Sequence, residues 1–277
     1  MSTILVTGAT GKTGRRLVEQ LQARALQPRL AMRSATSPHS VAFDWTDPRT
    51  HATALDGIGA VYLVAPPGVV DPLAIMRPFL ELALERGVTR FVLLSASSLE
   101  EGGPLMGQVH AWLRQHAPSW LVLRPSWFMQ NFSEQQHLPT ILSDNAIYSA
   151  TRDGRIGFID AEDIAAVAVA GLTATDLASG DLVLTGPETL SYDEVARLLG
   201  KQTGRPVRHH RLTEAKLSDR FVSYGVPAAF APSLAAMDTA IAGGVEDRIT
   251  DSVLSMTGRR PASFADFVSC NAPVWTP

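Results

Sequence analysis

The sequence predicts a doubly wound α/β fold, one parallel sheet with helices on both faces. Three observations carry that expectation. Short apolar runs recur between residues 4 and 184 with helical patterns between them, the alternation that builds a parallel sheet by crossovers. Several runs are rich in Val and Leu without polar alternation, as strands covered on both faces require. The first run, Ile4-Leu5-Val6, leads directly into Gly8-Ala9-Thr10-Gly11-Lys12-Thr13-Gly14 and then into apolar positions Leu17, Val18 and Leu21 at helical spacing.

Strands are expected at Ile4–Thr7, Arg29–Met32, Val41–Phe43, Ala60–Val64, Phe91–Ser95, Trp120–Leu123 and Leu182–Leu184, and helices at 12–26, 72–87, 105–116, 161–174 and 191–201. Asp71-Pro72 and Ser191 read as helix starts, and Gly87 as a helix end. Beyond about residue 125 the alternation turns irregular. We expect one domain over 1–277, with a core of about 1–125 plus 155–185 and a small, mainly C-terminal lobe of about 126–154 and 186–277 that covers the substrate.

The strand–glycine loop–helix order suits a dinucleotide pyrophosphate. Glycines let the backbone turn tightly and approach the phosphates, and the helix N-terminus offers unpaired N–H groups and the positive end of its dipole. The spacing is G-x-x-G-x-x-G. Gly11-Lys12-Thr13 looks like the end of a nucleoside-triphosphate loop, but that motif requires a glycine five residues before Gly11, where Val6 stands.

Ligands of doubly wound sheets sit at the carboxyl ends of the strands. Cofactor contacts are therefore expected from Gly8, Thr10, Gly11, Lys12, Thr13 and Gly14, and from Arg33, Asp44, Ala65, Pro66, Ser95 and Pro125. No carboxylate closes the second strand to take a ribose 2′-OH. Arg33 stands there instead and suits a 2′-phosphate, so NADP(H) is expected over NAD(H). Asp44 either accepts from the adenine amino group or belongs to a turn with Asp47-Pro48. Pro66-Pro67 removes backbone donors and stiffens the groove edge.

The totals narrow the function classes. The chain has 277 residues, 45% of them hydrophobic, enough for a sizeable core, and a net charge of −3 that makes nucleic acid an unexpected partner. The single Cys270 has no internal disulfide partner and reads as an incidental thiol in a reducing compartment. Met1-Ser2-Thr3 leads straight into the first strand, so no signal peptide is expected. The longest apolar stretch, near Ile164 to Leu172, is too short to span a bilayer. We expect a cytoplasmic protein acting on a small molecule.

Finer motifs carry a resemblance. They include Phe43-Asp44-Trp45, Ala60-Val61-Tyr62-Leu63-Val64 with Pro66-Pro67, Phe91-Val92-Leu93-Leu94-Ser95-Ala96-Ser97 and Gly102-Gly103-Pro104. Further on come Met106-Gly107-Gln108-Val109-His110-Ala111, Leu123-Arg124-Pro125 with Trp127-Phe128-Met129, Asn131-Phe132-Ser133, Ile147-Tyr148-Ser149-Ala150-Thr151, Gly186-Pro187-Glu188, Ser191-Tyr192-Asp193-Glu194-Val195 and Met237-Asp238-Thr239-Ala240-Ile241. With the glycine loop, they resemble the NmrA-like branch of atypical short-chain dehydrogenases, with its Rossmann-type fold, and within it the festuclavine synthase/agroclavine dehydrogenase subgroup of ergot alkaloid reductases. The resemblance implies reduction of a C=N bond, in an imine or iminium, by a nicotinamide cofactor. Relatives of this branch also imply two alternatives: an NAD(P)H quinone or enone reductase, and a non-catalytic dinucleotide-binding redox sensor acting on a protein partner.

Orthodox short-chain dehydrogenases carry Tyr-x-x-x-Lys on the helix after the fifth strand, where tyrosine protonates a carbonyl oxygen. Here Gly102 and Met106 fall in those slots, and Tyr62, Tyr148, Tyr192 and Tyr224 lie elsewhere. A ketone that accepts hydride becomes an alkoxide and needs a proton or an oxyanion partner. An iminium that accepts hydride becomes a neutral amine and needs neither. Trp127, Phe128 and Phe132 either line a cation-binding pocket or pack in the core. His110 is the candidate catalytic ionisable group, as a proton relay or as a core histidine. Ser97 is the other catalytic candidate: the resemblance implies a substrate-side serine at the end of the fifth strand, so Ser97 or Ser95 is expected to face the nicotinamide, more for positioning than for chemistry. Asp160, Glu162 and Asp163 read as a helix cap and first turn, and His209-His210 as a poor metal pair, so no metal is expected.

Overall fold

Strand β1 (Thr3–Val6) hands the chain to the glycine loop and helix α1 (Lys12–Gln22) in the computed structural model, which describes residues 3–275. Met1, Ser2, Thr276 and Pro277 lie outside the described residues, and with them the first two residues of the expected leaderless start. There follow β2 (Arg29–Met32), β3 (Ser40–Ala42), α2 (His51–Ala54), β4 (Ile58–Leu63), α3 (Pro72–Glu85), β5 (Arg90–Leu94), α4 (Met106–His116) and β6 (Ser119–Pro125). Next come α5 (Leu138–Asp144), β7 (Ala146–Ser149), β8 (Arg155–Ile156), α6 (Ala161–Thr173) and β9 (Gly180–Leu184). The chain closes with β10 (Leu190–Ser191), α7 (Tyr192–Thr203), β11 (Arg208–Arg211), α8 (Glu214–Ser223), α9 (Ala231–Ala242), α10 (Ser252–Thr257) and α11 (Phe264–Cys270).

Seven strands form one parallel sheet in the order β3-β2-β1-β4-β5-β6-β9. The order reverses between β1 and β4, and that junction is the switch point where ligands of such sheets bind. Leu5, Val61, Leu63, Phe91, Leu93 and Val122 form a buried cluster with Met76, Phe79 and Leu80 of α3 and Val109 and Leu113 of α4. Helices α1 and α6 also pack together. At Gly171 of α6 an added Cβ would stand 2.7 Å from Leu121 of β6, which fixes how closely that helix lies on the sheet.

The chain divides into two compact units. The first comprises Met1–Pro125, Ala161–Leu184 and Ser252–Arg259, and the second Ser126–Asp160, Thr185–Asp251 and Arg260–Pro277. Residues 155–160 and 185, expected in the core, thus belong to the second unit, and 252–259, expected in the lobe, to the first. Within the second unit β11 pairs parallel with β7, and β10 antiparallel with β8. Its core gathers Phe132, Phe158, Tyr192, Phe264, Phe267 and Trp275. Among the described residues no helix is long and apolar enough to cross a membrane.

Most expected ends fall within a few residues of the observed ones. Helix α1 stops at Gln22 instead of 26, because Ala25 takes a left-handed conformation (φ +57°) and Leu26 N–H turns back to the Leu21 carbonyl at 3.0 Å. Such an ending closes orphan carbonyls. Strand β11 escaped sequence reading because Arg208-His209-His210-Arg211 has no apolar signal; it is held by its ladder with β7 and by Arg211 pairing with both Asp153 and Asp193 at 2.6 Å.

The tightest approach in the glycine loop is at Gly14, where an added Cβ would lie 2.1 Å from the Gly8 carbonyl oxygen. Backbone has no rotamer with which to yield, so Gly14→Ala is expected to lower unfolding free energy by about 1–3 kcal/mol, read as a shifted urea midpoint at unchanged slope.

Candidate functional site

The candidate site of the first unit lies at the carboxyl ends of its strands. After β1, Gly8 turns left-handed (φ +62°), and its carbonyl accepts the Gly11 N–H at 2.9 Å. A Cβ at Gly8 would press on Val64 at 3.0 Å. Gly11 is the N-cap of α1, no side chain caps that terminus and no carboxylate occupies its first turn. A helix that begins uncapped leaves N–H groups for a ligand. With Gly8 and Gly14 closing the turn, the loop fits a dinucleotide pyrophosphate. Gly11 and Thr10 are exposed on it and Lys12 is half-buried.

Two residues that the sequence did not single out hold this loop. The buried Thr7 hydroxyl donates to the Tyr62 carbonyl (2.9 Å) and accepts the Val64 N–H (2.8 Å), which ties the ends of β1 and β4 together at the switch point. The Tyr62 hydroxyl, fully buried, donates to Thr13 Oγ1 at 2.9 Å. Burial pushes the Tyr62 phenol far up, out of reach of neutral-pH ionisation. Thr13 was expected among the cofactor contacts; its side chain is buried and engaged with Tyr62. Nothing local marks these residues, because both bonds span about fifty residues of chain.

Arg33 and Asp44 follow neighbouring strands, since Met32 of β2 pairs with Ala42 of β3. Arg33 is exposed. Asp44 Oδ1 accepts from Thr46 N–H (2.8 Å) and Thr46 Oγ1 (2.7 Å), the turn alternative of the two readings. These bonds hold its carboxyl below the usual range, with Arg33 adding a smaller pull. Ala65 and Pro66 follow β4, half-buried.

Ser95 N–H donates to the Leu123 carbonyl at 2.7 Å, and its hydroxyl is shut from solvent without a partner among the described residues. Ser97 is buried, its N–H on the Pro125 carbonyl (2.9 Å) and its own carbonyl on Arg124 (2.9 Å). Arg124 also pairs with Asp181 at 2.8 Å and with Glu100. The loop after β5 is thereby pinned to the end of β6.

His110 does not stand with these residues. Its ring is buried, 5.3 Å from that of Trp120, and neither nitrogen has a hydrogen-bond partner among the described residues. Trp120 is the second residue of β6, and the ligand end of the strand lies five residues on, about 16 Å at ~3.3 Å per residue. Burial lowers the imidazole pKa, against Asp181 and Glu101. A proton relay requires a chain of bonds that this ring does not make, so the catalytic expectation for His110 gives way to a core histidine.

In the second unit, Trp127 and Phe128 are half-buried. Phe132 is fully buried among His137, Phe158, Tyr192 and Phe264, at ring separations of 4.8 to 5.8 Å, and its carbonyl accepts from the Trp275 indole (2.9 Å). Of the two readings given to Phe132, core packing holds. Asp160 accepts from Gln130 at 2.7 Å, while Glu162 and Asp163 sit in the first turn of α6 in the first unit. There Glu162 meets Arg16 and Asp163 meets Arg259.

His209 and His210 point apart. The His210 ring stacks on Tyr148, whereas the buried His209 bonds Ser149 Oγ at 2.7 Å through Nε2 and faces Asp193 at 3.4 Å through Nδ1. This row has the composition of a nucleophile triad, but Ser149 is wholly buried and shares its hydroxyl with Thr151 at 2.7 Å, which leaves no approach for a substrate. Among the described residues no group of three or more His, Cys, Asp or Glu is placed to hold a metal.

Asp238 of α9 lies close by. It is 6% exposed and accepts the Ala150 N–H at 2.9 Å. Burial raises its pKa from 3.8 to about 6, and the Ala150 bond only partly offsets this. A raised carboxyl value means that the native state holds the proton more firmly than the unfolded chain. Stability from this group is therefore full below pH 4 and is lost as pH rises through 6, by about 3 kcal/mol at most. Asp238→Asn is expected to be more stable than the unsubstituted protein at pH 7.5, with the gap narrowing as pH falls to 5, in urea unfolding at both values.

The comparisons agree with this geometry. Residues 8–175 match the NAD(P)H-binding family model. Agroclavine dehydrogenase of Claviceps fusiformis is 43% identical, with 99% of this chain and 98% of that protein covered. Festuclavine synthase II of Penicillium roqueforti is 40% identical, with 99% of each covered. An NADPH-dependent quinone oxidoreductase from Escherichia coli, solved with NADPH, shares the fold at a TM-score of 0.82 and 22% identity over 97% of this chain and 99% of that one. An uncapped helix behind a left-handed glycine, at the switch point of a parallel sheet, thus stands in a chain that belongs to the NAD(P)H-binding reductase family, among relatives of agroclavine dehydrogenase and festuclavine synthase.

Proposed function

We propose that this protein is an NADPH-dependent reductase that transfers hydride to the C=N bond of an imine or iminium in a bulky small molecule, and that it works in the cytoplasm. One observation carries the choice of acceptor: the strand ends of the first unit offer no tyrosine–lysine pair. Tyr62 is buried with its hydroxyl on Thr13, and the other three tyrosines belong to the second unit. Gly102, in a left-handed turn (φ +74°), and Met106, first residue of α4, are the residues expected near the slots of that pair, and neither carries a group that moves a proton. Both relatives named above are named for clavine substrates or products, which supports the same reading.

When bound, the reduced nicotinamide supplies the hydride. The chain's own residues bind and orient. The first-turn N–H groups of α1 and the Gly8–Gly14 turn take the pyrophosphate. Arg33 takes a 2′-phosphate, and Asp44, anchored by Thr46, keeps its second carboxylate oxygen for the adenine side. Ala65, Pro66 and Pro125 form the groove walls, and Ser95 offers a hydroxyl at the end of β5. Half-buried Trp127 and Phe128 supply aromatic faces for a cationic acceptor, worth about 1–2 kcal/mol when desolvated. Rate then comes mainly from holding two reactants in line.

NADPH oxidation with N-methyl-3,4-dihydroisoquinolinium and with a benzoquinone separates the possibilities. The reading expects turnover of the iminium and little of the quinone; quinone turnover alone, or tight NADPH binding with neither, contradicts it. Arg33→Asp is expected to weaken NADPH binding at least ~10-fold more than NADH binding, by loss of one charge-assisted contact. Equal loss for both removes the case for the 2′-phosphate.

A further inference from the structure

We propose that His51 is a positioning residue for the adenine end of the cofactor, the side chain that fixes the turn from which Asp44 reads the 6-amino group, so that the site tells adenine from a base without that donor. The inference rests on the reading that Asp44 faces the adenine, and every residue it uses lies in the first unit.

Asp44 is held at nearly all of its polar atoms. Its N–H donates to Thr50 Oγ1 at 3.1 Å. Its carbonyl accepts from the Asp47 N–H at 3.1 Å and from His51 Nε2 at 3.0 Å. Oδ1 is taken by the two Thr46 donors. Oδ2 has no partner among the described residues and is not shut from solvent. These bonds aim one carboxylate oxygen, which can only accept. An exocyclic amino group, which donates, is its complement.

Thr46, Asp47 and Thr50 belong to the turn itself and move with it. His51 ties the turn to the core. Its ring is buried, 5.4 Å from the rings of Phe43 and Phe79, and Phe79 of α3 belongs to the cluster packed on the sheet. Phe43 and Trp45, the chain neighbours of Asp44, meet the same Phe79 ring edge-on at 5.2 Å. A carbonyl only accepts, so Nε2 carries the proton, and the neutral ring is the Nε2–H tautomer.

The choice of residue points the same way. To fill space between two phenyl rings, an apolar side chain packs without the desolvation penalty of a buried imidazole. The bond to the Asp44 carbonyl is the one hydrogen bond of the ring among the described residues. What the buried polar group secures is therefore the placement of Asp44.

The test measures binding to the full chain by calorimetry, without turnover. The probes are NADP⁺ and nicotinamide hypoxanthine dinucleotide phosphate, in which a carbonyl replaces the 6-amino group. The unsubstituted protein is expected to bind NADP⁺ at least ~10-fold more tightly than the analogue, the gain of one charge-assisted contact. His51→Phe keeps a ring between Phe43 and Phe79 and removes the donor, and most of that preference is expected to be lost. His51→Gln, which retains an N–H donor, is expected to recover part of it. An unchanged preference in His51→Phe, including equal loss of both ligands, overturns the proposal and leaves His51 as packing. No preference in the unsubstituted protein overturns the adenine reading of Asp44 and the proposal with it, so the two failures are told apart. Should His51→Phe not fold, the ring ¹⁵N resonances of His51 in the unsubstituted protein decide. A shift with NADP⁺ that the analogue does not reproduce is expected, and the same shift with both overturns the proposal.

Discussion

The site depends on how closely the first turn of α1 approaches the loop that precedes it. Gly14 lies so near the Gly8 carbonyl that no side-chain atom fits between them. That contact brings the uncapped start of the helix to the end of β1, at the point where strand order reverses. Thr7 and Tyr62 then lock the arrangement, one joining β1 to β4 and the other joining β4 to the helix. A dinucleotide site here is a property of backbone placement, and its electrostatics come from the peptide N–H groups and dipole of an uncapped helix start.

The charge economy of the acceptor we propose accounts for what the rest of the site lacks. Reduction of a carbonyl places negative charge on oxygen, and an enzyme must meet it with a donor. Reduction of an iminium removes a positive charge that was present from the start. A site for the second reaction is free to carry glycine and methionine where the first demands tyrosine and lysine. Its demand is to stabilise a cation before the transfer. The half-buried aromatic faces of Trp127 and Phe128 are the groups we propose for that demand.

Much of the first unit was legible in the sequence because its signals are local. Unbroken apolar runs such as Val61–Leu63 and Phe91–Leu94, short and set between turn residues, read as buried strands, and the glycine loop is read from seven consecutive residues. Asp71-Pro72 announces its helix through capping chemistry confined to one turn, as Ser191 does for α7 in the second unit, and both side chains accept the expected N–H groups. The rest of the second unit was opaque for the converse reason. Strand β11 is polar throughout and exists because β7 pairs with it. Phe132 gives the same signal whether it lines a pocket or fills a core; only its packing against Phe158, Tyr192 and Phe264 decides. His110 likewise looked catalytic by residue type, and the register of α4 on β6 set it against Trp120. Asp238 was visible only as one letter of an unusual segment, because the N–H it accepts belongs to Ala150, nearly ninety residues away.

The central claim is that the protein contributes no proton to the chemical step. The pH dependence of single-turnover hydride transfer to N-methyl-3,4-dihydroisoquinolinium, in H₂O and in D₂O, tests it most directly, since that acceptor carries a fixed charge. The account predicts a rate that is flat between pH 6 and 9 and equal in the two solvents. A rate that falls with the ionisation of a single protein group, accompanied by slower transfer in D₂O, would contradict it.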